Sequence, residues 1–292
     1  MSLINKSFPI KAVVTATLLV VTGSSYGFSE TKHVSDEVIS EQRKALATNT
    51  KEAGFGPQSP RDIDVVEGNN NRAFGAAPAY TEMNLCNIHF HENAEHKGGE
   101  FTKHAGNGNG QGYGAGYAYS GDLSAAELKK IDIEIGVTEH GDLVPGDTIE
   151  VHYVYSTAKV KPGPTLGSCL SDAIKNPQVR VEAQIYVLVN DDNALNFMEL
   201  TKLDVKSGYH QAINIPNNTG TTVQYDGSTT GPGYNEKGSP FHVTWSVRPK
   251  VAKVNIKSVD EWLKNNIFDE NHAHGVRNLV INTDLLSPIK LR

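Results

Sequence analysis

Three histidines and three glutamates fall within fifteen residues of this 292-residue chain, in the stretch "NIHFHENAEHKGGEF" at residues 87–101. In an extended strand, residues i and i+2 project from the same face, roughly 6.6 Å apart. His89 and His91 therefore present two imidazoles on one side, and Phe90 faces the other. Two nitrogens so placed can reach one ion at roughly 2.0–2.1 Å each. A catalytic zinc takes a third protein ligand and leaves its fourth position to water. The candidates for that third ligand are His96, His104, His140, His152, His210, His242, His272 and His274. His152 stands out, because it lies in the middle of "TIEVHYVYS", a strand that could run antiparallel to the H-x-H strand. Glu150, His152 and Val154 share one face of it. A carboxylate buried there needs a partner, and a ligand histidine supplies one, since its second nitrogen commonly donates to a carboxylate or carbonyl. From this strand alone, a hydrogen-bonded core histidine is an equally valid reading of His152.

The elements that must position these groups are mostly strands. "NLCNIHFH" alternates with period two, and residues 147–157 and 179–190 are β-branched and aromatic. Residues 241–254 begin as a further strand whose regular part Pro249 is expected to close. Helical patterns are few and short. Residues 35–47 form one with Ser35 as N-cap, residues 124–131 a second, and residues 258–267 a third with Ser258 and Glu261 in a capping-box pattern. Residues 28–80 otherwise read as an irregular N-terminal segment. The glycine-rich stretch 97–121 lacks the strand, helix and Lys-Ser/Thr pair of a phosphate cradle. It is expected to be a long flexible insertion between two strands.

The amino terminus carries Lys6 and Lys11, a ten-residue apolar run over 12–21, and small residues Ser25 and Gly27 before Phe28. That is the pattern of a cleaved signal peptide over 1–27, too short to span a bilayer well. A periplasmic or secreted protein with no membrane span after signal removal is expected. In such a compartment the two cysteines, Cys86 and Cys169, are expected to form a disulfide, with two buried thiols as the alternative. Lys+Arg 27 against Asp+Glu 33 gives no basic surplus, which argues against a nucleic-acid partner.

Four blocks in order, "NIHFHENAEHKGGEF", "IEVHYVY", "YDGSTTGP" and "HVTWSV", resemble the active-site blocks of α-class carbonic anhydrases. The wording of "CNIHFHENAEHKGGEF" and "ENHAHGVRNLV" is closer to the delta class. The resemblance implies a mainly β, α-carbonic-anhydrase-like catalytic domain over 81–292, with a twisted central sheet and short peripheral helices. It implies a Zn2+ enzyme that converts carbon dioxide reversibly to bicarbonate and a proton through zinc-bound hydroxide. Carried over by position, it makes His89, His91 and His152 the metal ligands. Asn87 then orients the first ligand and Glu150 the third, while Glu95 and Thr229 form the pair that orients the nucleophile. Thr230, Val154, Val243 and Trp245 would contact substrate, and Arg277 would be structural. The α-class proton shuttle has no counterpart before the H-x-H, so His96, His104 and the histidines of "NHAH" remain alternatives.

Two other readings compete. A cupin would use His89, His91 and Glu95, but Met83 stands where its motif wants glycine, and "PGDTIEVH" has the wrong spacing to His152. A catalytically inactive periplasmic metal-binding module would be expected to have lost a ligand or a gate residue, and none is missing. No G-x-S-x-G motif points to a serine hydrolase.

Overall fold

A computed structural model describes residues 33–72, 74–229 and 233–290, so the signal-peptide reading of 1–27 and the assignment of Thr230 lie outside the described residues. Helix α1 (Asp36–Thr50) begins after Ser35, as the sequence indicates, and buries Ile39 and Leu46. Strand β1 (Asn84–Glu92) carries the H-x-H. Strands β2 (Lys103–Asn107) and β3 (Ala115–Ala118) pair as a ribbon. Strands β4 (Thr148–Ser156) and β5 (Val179–Val189) follow, then a short helix α2 (Phe197–Leu200) and the hairpin β6 (Leu203–Lys206) and β7 (Tyr209–Ala212). Strands β8 (Val223–Ser228) and β9 (His242–Asn255) and helix α3 (Ile256–Asn265) complete the framework.

The central sheet is mixed, in the order β1-β4-β5-β9-β8. All its neighbours are antiparallel except β5 and β9. Every residue of β4 is buried, and all of β5 but Val179, which is why both read as nearly unbroken apolar and aromatic runs. One face packs Ile88, Phe90, Val151, Tyr153, Tyr155 and Tyr186 against Phe197 and Trp262. The other face packs Val154, Val181, Ala183, Tyr225, Trp245 and Val247. Each such side chain is worth about 1.5–3 kcal/mol of burial. The mainly β expectation therefore holds, with three differences in detail.

The first concerns Pro249. It does not end its strand, because β9 runs on to Asn255. Ala183 pairs with Val247 and Ile185 with Val251, so Arg248, Pro249 and Lys250 bulge out opposite Gln184 alone. A bulge is where a residue without an N–H fits inside a sheet.

The second concerns the helix ends. Asn255, not Ser258, caps α3, its side chain accepting from the Lys257 N–H. The strand passes straight into the helix, so the cap falls one turn early. Ser258 instead accepts the Phe197 N–H and donates to the Asn255 carbonyl. The pattern over 124–131 yields a single turn closed by reciprocal Ser124–Glu127 bonds rather than a helix.

The third is the glycine-rich stretch, which is an ordered ribbon. All of its glycines but Gly121 take positive φ, and several let backbone approach backbone. Gly112 (φ 117°) accepts the Val276 N–H at 3.0 Å, and a Cβ on Gly112 would overlap the Val276 carbonyl oxygen. Gly112→Ala is expected to cost about 1–3 kcal/mol, read as a lower urea midpoint at unchanged slope.

The carboxyl-terminal segment closes the outer side of β1. The His274 N–H donates to the Phe90 carbonyl, and the Glu92 N–H donates to the His274 carbonyl, both at 2.9 Å.

Candidate metal centre

His89 pairs with His152 across β1 and β4, in the antiparallel arrangement that the sequence suggested. His91 stands two residues further along β1 on the same face. The three histidines each offer one nitrogen to a group in which all ligand atoms lie within 4.8 Å of one another. Each ring is held from behind. His89 Nδ1 lies 2.6 Å from Asn87 Oδ1, and His91 Nδ1 lies 2.9 Å from the Gly275 carbonyl oxygen. His152 is turned the other way. Its Nε2 lies 2.9 Å from Glu150 Oε1, and its Nδ1 lies 3.2 Å from His89 Nε2. Since a carbonyl or carboxylate can only accept, these partners place the ring protons outward and leave His89 Nε2, His91 Nε2 and His152 Nδ1 as lone pairs facing one point.

That arrangement fits a metal ion. His91 Nε2 is buried without any hydrogen-bond partner among the described residues, a costly state unless something ligates it. Nitrogens sharing one tetrahedral ion sit about 3.3 Å apart, close to the 3.2 Å between His152 Nδ1 and His89 Nε2. A second convergent set, Glu95, Glu150 and His152, would use the nitrogen of His152 already engaged by Glu150 and would leave His91 Nε2 stranded. The three-histidine set is the better host. It also disfavours the cupin set, since His152 rather than Glu95 completes the group with His89 and His91.

Burial pushes the His91 imidazole down to about 4, and burial with the neighbouring imidazoles pushes His89 well below its ordinary range. Both are neutral, metal-ready ligands at neutral pH. The folded-state value for His91 lies below that of an unfolded histidine, so its contribution to stability is present above about pH 6.5 and lost as pH falls to about 4. In the metal-free protein that contribution is about 3 kcal/mol. Asp147, which burial pushes up to about 7, works in the opposite sense. NMR of the metal-free protein is expected to find the His91 ring still neutral at pH 5.5, and a His91→Gln variant should lose less stability between pH 6.5 and 5 than the parent.

Glu150 is fully buried. Burial opposes its ionisation, but His96 and His152 outweigh that and hold its carboxyl well below the usual range. Its Oε1 meets His96 Nδ1 at 2.6 Å, and its Oε2 accepts the His96 backbone N–H at 3.1 Å. His96 Nε2 then meets the Tyr225 hydroxyl at 2.6 Å, and Tyr225 donates to Ser59 at 3.0 Å. A continuous hydrogen-bonded chain thus backs His152. It engages both ring nitrogens of His96, adjacent in sequence to the site, and leaves neither for an ion.

A cavity of about 780 Å3 opens over the three histidines. Val154, Val181 and Trp245 form an apolar wall, adjacent in one cross-strand row. Val243, expected to line the pocket, is not among its lining residues; it lies two residues before Trp245, one row removed, and Val181 lines the cavity between Val154 and Trp245. Glu95 and Thr229 both line the cavity. The Arg277 N–H donates to Glu95 Oε1 at 3.1 Å, while Glu95 Oε2 is buried without a hydrogen-bond partner among the described residues, 3.9 Å from His152 Nε2. The Thr229 N–H donates to the Phe241 carbonyl, and no hydrogen bond joins its hydroxyl to Glu95 among the described residues. The Arg277 guanidinium spans the Tyr234 and Ser59 carbonyl oxygens, each at 2.6 Å, in keeping with a structural role.

Sequence reasoning missed several lining residues. Gln42 comes from α1, and Tyr113 from the turn of the glycine-rich ribbon. His274 lines the cavity with its ring centroid 5.7 Å from that of His89, its Nε2 held 2.6 Å from Glu270 Oε2. The sequence offers His274 both as a third ligand and, within "NHAH", as a shuttle alternative; the structure brings it to the cavity but not into the three-histidine group. Of the alternatives for a shuttle, His96 has both ring nitrogens engaged in the interior, and His104 lies at a different cavity, beside Arg43 and Tyr117.

The family model for delta carbonic anhydrase matches residues 80–258, more than half of the chain. The chain belongs to the delta carbonic anhydrase family. It is a carbonic anhydrase by that membership, and the match contains all three histidines, Glu95, Glu150 and Thr229. No curated protein matches the sequence. Among solved structures the chain is similar to a halotolerant carbonic anhydrase from Dunaliella salina, at 17% identity and TM-score 0.33, over 81% of this chain and 87% of that one. It is also similar to α-carbonic anhydrases from Thermovibrio ammonificans and Photobacterium profundum, each at 15% identity and TM-score 0.27. The first, in complex with sulfanilamide, covers 76% of this chain and 84% of its own; the second covers 84% and 95%. Gln42, His274 and Arg277, which line the cavity, lie outside the family match.

Proposed function

We propose that the chain hydrates carbon dioxide reversibly to bicarbonate and a proton at a zinc ion held by His89, His91 and His152. The observation that carries this reading is the convergence of three outward-protonated histidines, with the buried, unpartnered His91 Nε2 among them. Bound zinc supplies the Lewis acidity that lets water ionise near neutral pH. Asn87 and Glu150 keep the ligand rings in the binding tautomer. Val154, Val181 and Trp245 offer carbon dioxide an apolar surface and keep competing water off it. Glu95 Oε2 carries no hydrogen bond among the described residues and can accept one. A Thr229 hydroxyl that donates to it can only accept from the nucleophile, which fixes the direction of attack. The Cys86–Cys169 disulfide supports an exported, periplasmic or secreted setting.

The test joins metal analysis to stopped-flow carbon dioxide hydration. One zinc per chain, loss of hydration on removal by a chelator and recovery with one equivalent of zinc are expected. Folded, zinc-loaded protein with no hydration above buffer would refute the reading.

A further inference from the structure

We infer that the Cys86–Cys169 disulfide and the Gly163 carbonyl are positioning groups for the metal site, acting through Asn87 on His89. This rests on the proposed role of His89 as a ligand. The argument starts from the ambiguity of a carboxamide. Its two ends are nearly isosteric but opposite in hydrogen bonding. With Oδ1 toward His89, Asn87 holds the ring proton on Nδ1 and leaves Nε2 free for metal. Turned over, it would present NH2 to Nδ1, favour the proton on Nε2 and block the ligand. Nothing in the Asn87–His89 pair chooses between these states. The choice is made behind Asn87, where Nδ2 donates to the Gly163 carbonyl at 3.1 Å. A carbonyl can accept only from the NH2 end.

Gly163 lies in the loop 157–178 that joins β4 to β5. Pro164, Thr165, Leu166 and Gly167 are exposed, so apolar burial does little to hold this stretch. Its attachments are specific. The Gly163 N–H donates to the Cys86 carbonyl at 3.0 Å, and the Ser168 hydroxyl donates to the Pro164 carbonyl at 2.7 Å. Cys169, next in sequence, is bonded to Cys86, at the point where an extra residue bulges out of β1. A closed circuit results: Cys86, Cys169, Ser168, Pro164, Gly163, and back to β1 at Asn87. Among the cross-links that close it, the disulfide is the one that thermal opening cannot break, the others being hydrogen bonds. The same stretch puts Thr165 and Leu166 on the cavity wall, so the disulfide braces a ligand and part of the pocket together.

The experiment compares the parent protein with Cys86→Ala/Cys169→Ala, Asn87→Ala and the triple variant, all loaded with cobalt(II). The readouts are the rate of cobalt transfer to a chromophoric chelator and the ligand-field spectrum, with near-ultraviolet circular dichroism as the control for folding. Asn87→Ala is expected to release metal about 10–100-fold faster, and the disulfide-free variant about 10-fold faster. The triple variant should be no faster than Asn87→Ala, because both changes act through one contact. Parent-like release from the disulfide-free protein, or a triple variant whose acceleration is the product of the two, overturns the inference. A parent protein that binds no cobalt refutes the metal site itself, which is a separate outcome. If the double alanine variant does not fold, the parent disulfide is opened in the native protein with a water-soluble phosphine. The phosphine takes oxygen from water to become the oxide, and its two electrons and the two water protons convert the disulfide to two thiols. Faster cobalt release from that protein supports the inference, and unchanged release overturns it.

Discussion

His152→Ala is expected to abolish carbon dioxide hydration and to lower metal affinity by at least ~10²-fold. Binding free energies of zinc sites are of order 10 kcal/mol, so one of three ligands is worth about 3 kcal/mol. Activity falls further than affinity, because two histidines from one strand cannot fix the direction of the open position. The fold should survive. Glu150 keeps both of its bonds from His96 after His152 is truncated, and the row of Val154, Val181 and Trp245 beside it is untouched. Near-parental circular dichroism with less than a tenth of an equivalent of zinc is the expected pair of measurements. Full zinc content with retained hydration would show that a different third ligand operates.

Glu150→Ala is expected to be the most destabilising single change near the site, by about 3–5 kcal/mol. The carboxylate is fully buried and serves three donors: His152 Nε2, His96 Nδ1 and the His96 backbone N–H. Its removal strands all three, at about 1–3 kcal/mol each. It also frees His152 to carry its proton on either nitrogen, so zinc affinity falls with stability. Glu150→Gln separates the two effects. The amide can still accept from one histidine but cannot match the charge, so it should recover part of the stability while metal release stays fast. Urea unfolding of the metal-free variants reads the first effect, and chelator competition reads the second. An Ala variant as stable as the parent would mean that water satisfies the exposed donors.

Much of the site was legible because its geometry is local. Period two places His89 and His91 together, and Glu150 beside His152, without knowledge of the fold. What the pattern could not supply is register. Val243 and Trp245 share a face, but which of them borders the cavity depends on how β9 aligns with β5, and a sequence does not state that alignment. Tertiary contacts also outweighed composition. A run of glycines reads as flexible, yet here it allows close backbone packing against residues 275–276. Asn255 displaced Ser258 as a cap because the helix follows a strand without a loop. His274 stood among the sequence's candidates, but the pattern could not place it at the site, because it reaches β1 through an isolated bridge, far along the chain.

That bridge has a further consequence. β1 is the edge strand of the central sheet, and it carries two of the three histidines. An uncovered edge is a template for another chain. With the His274 backbone paired to Phe90 and Glu92, the stretch of β1 that bears His89 and His91 cannot accept a foreign strand. The closing segment therefore shields the sheet edge beside the three histidines, and a chain that lost it would offer neighbouring copies a ladder to extend.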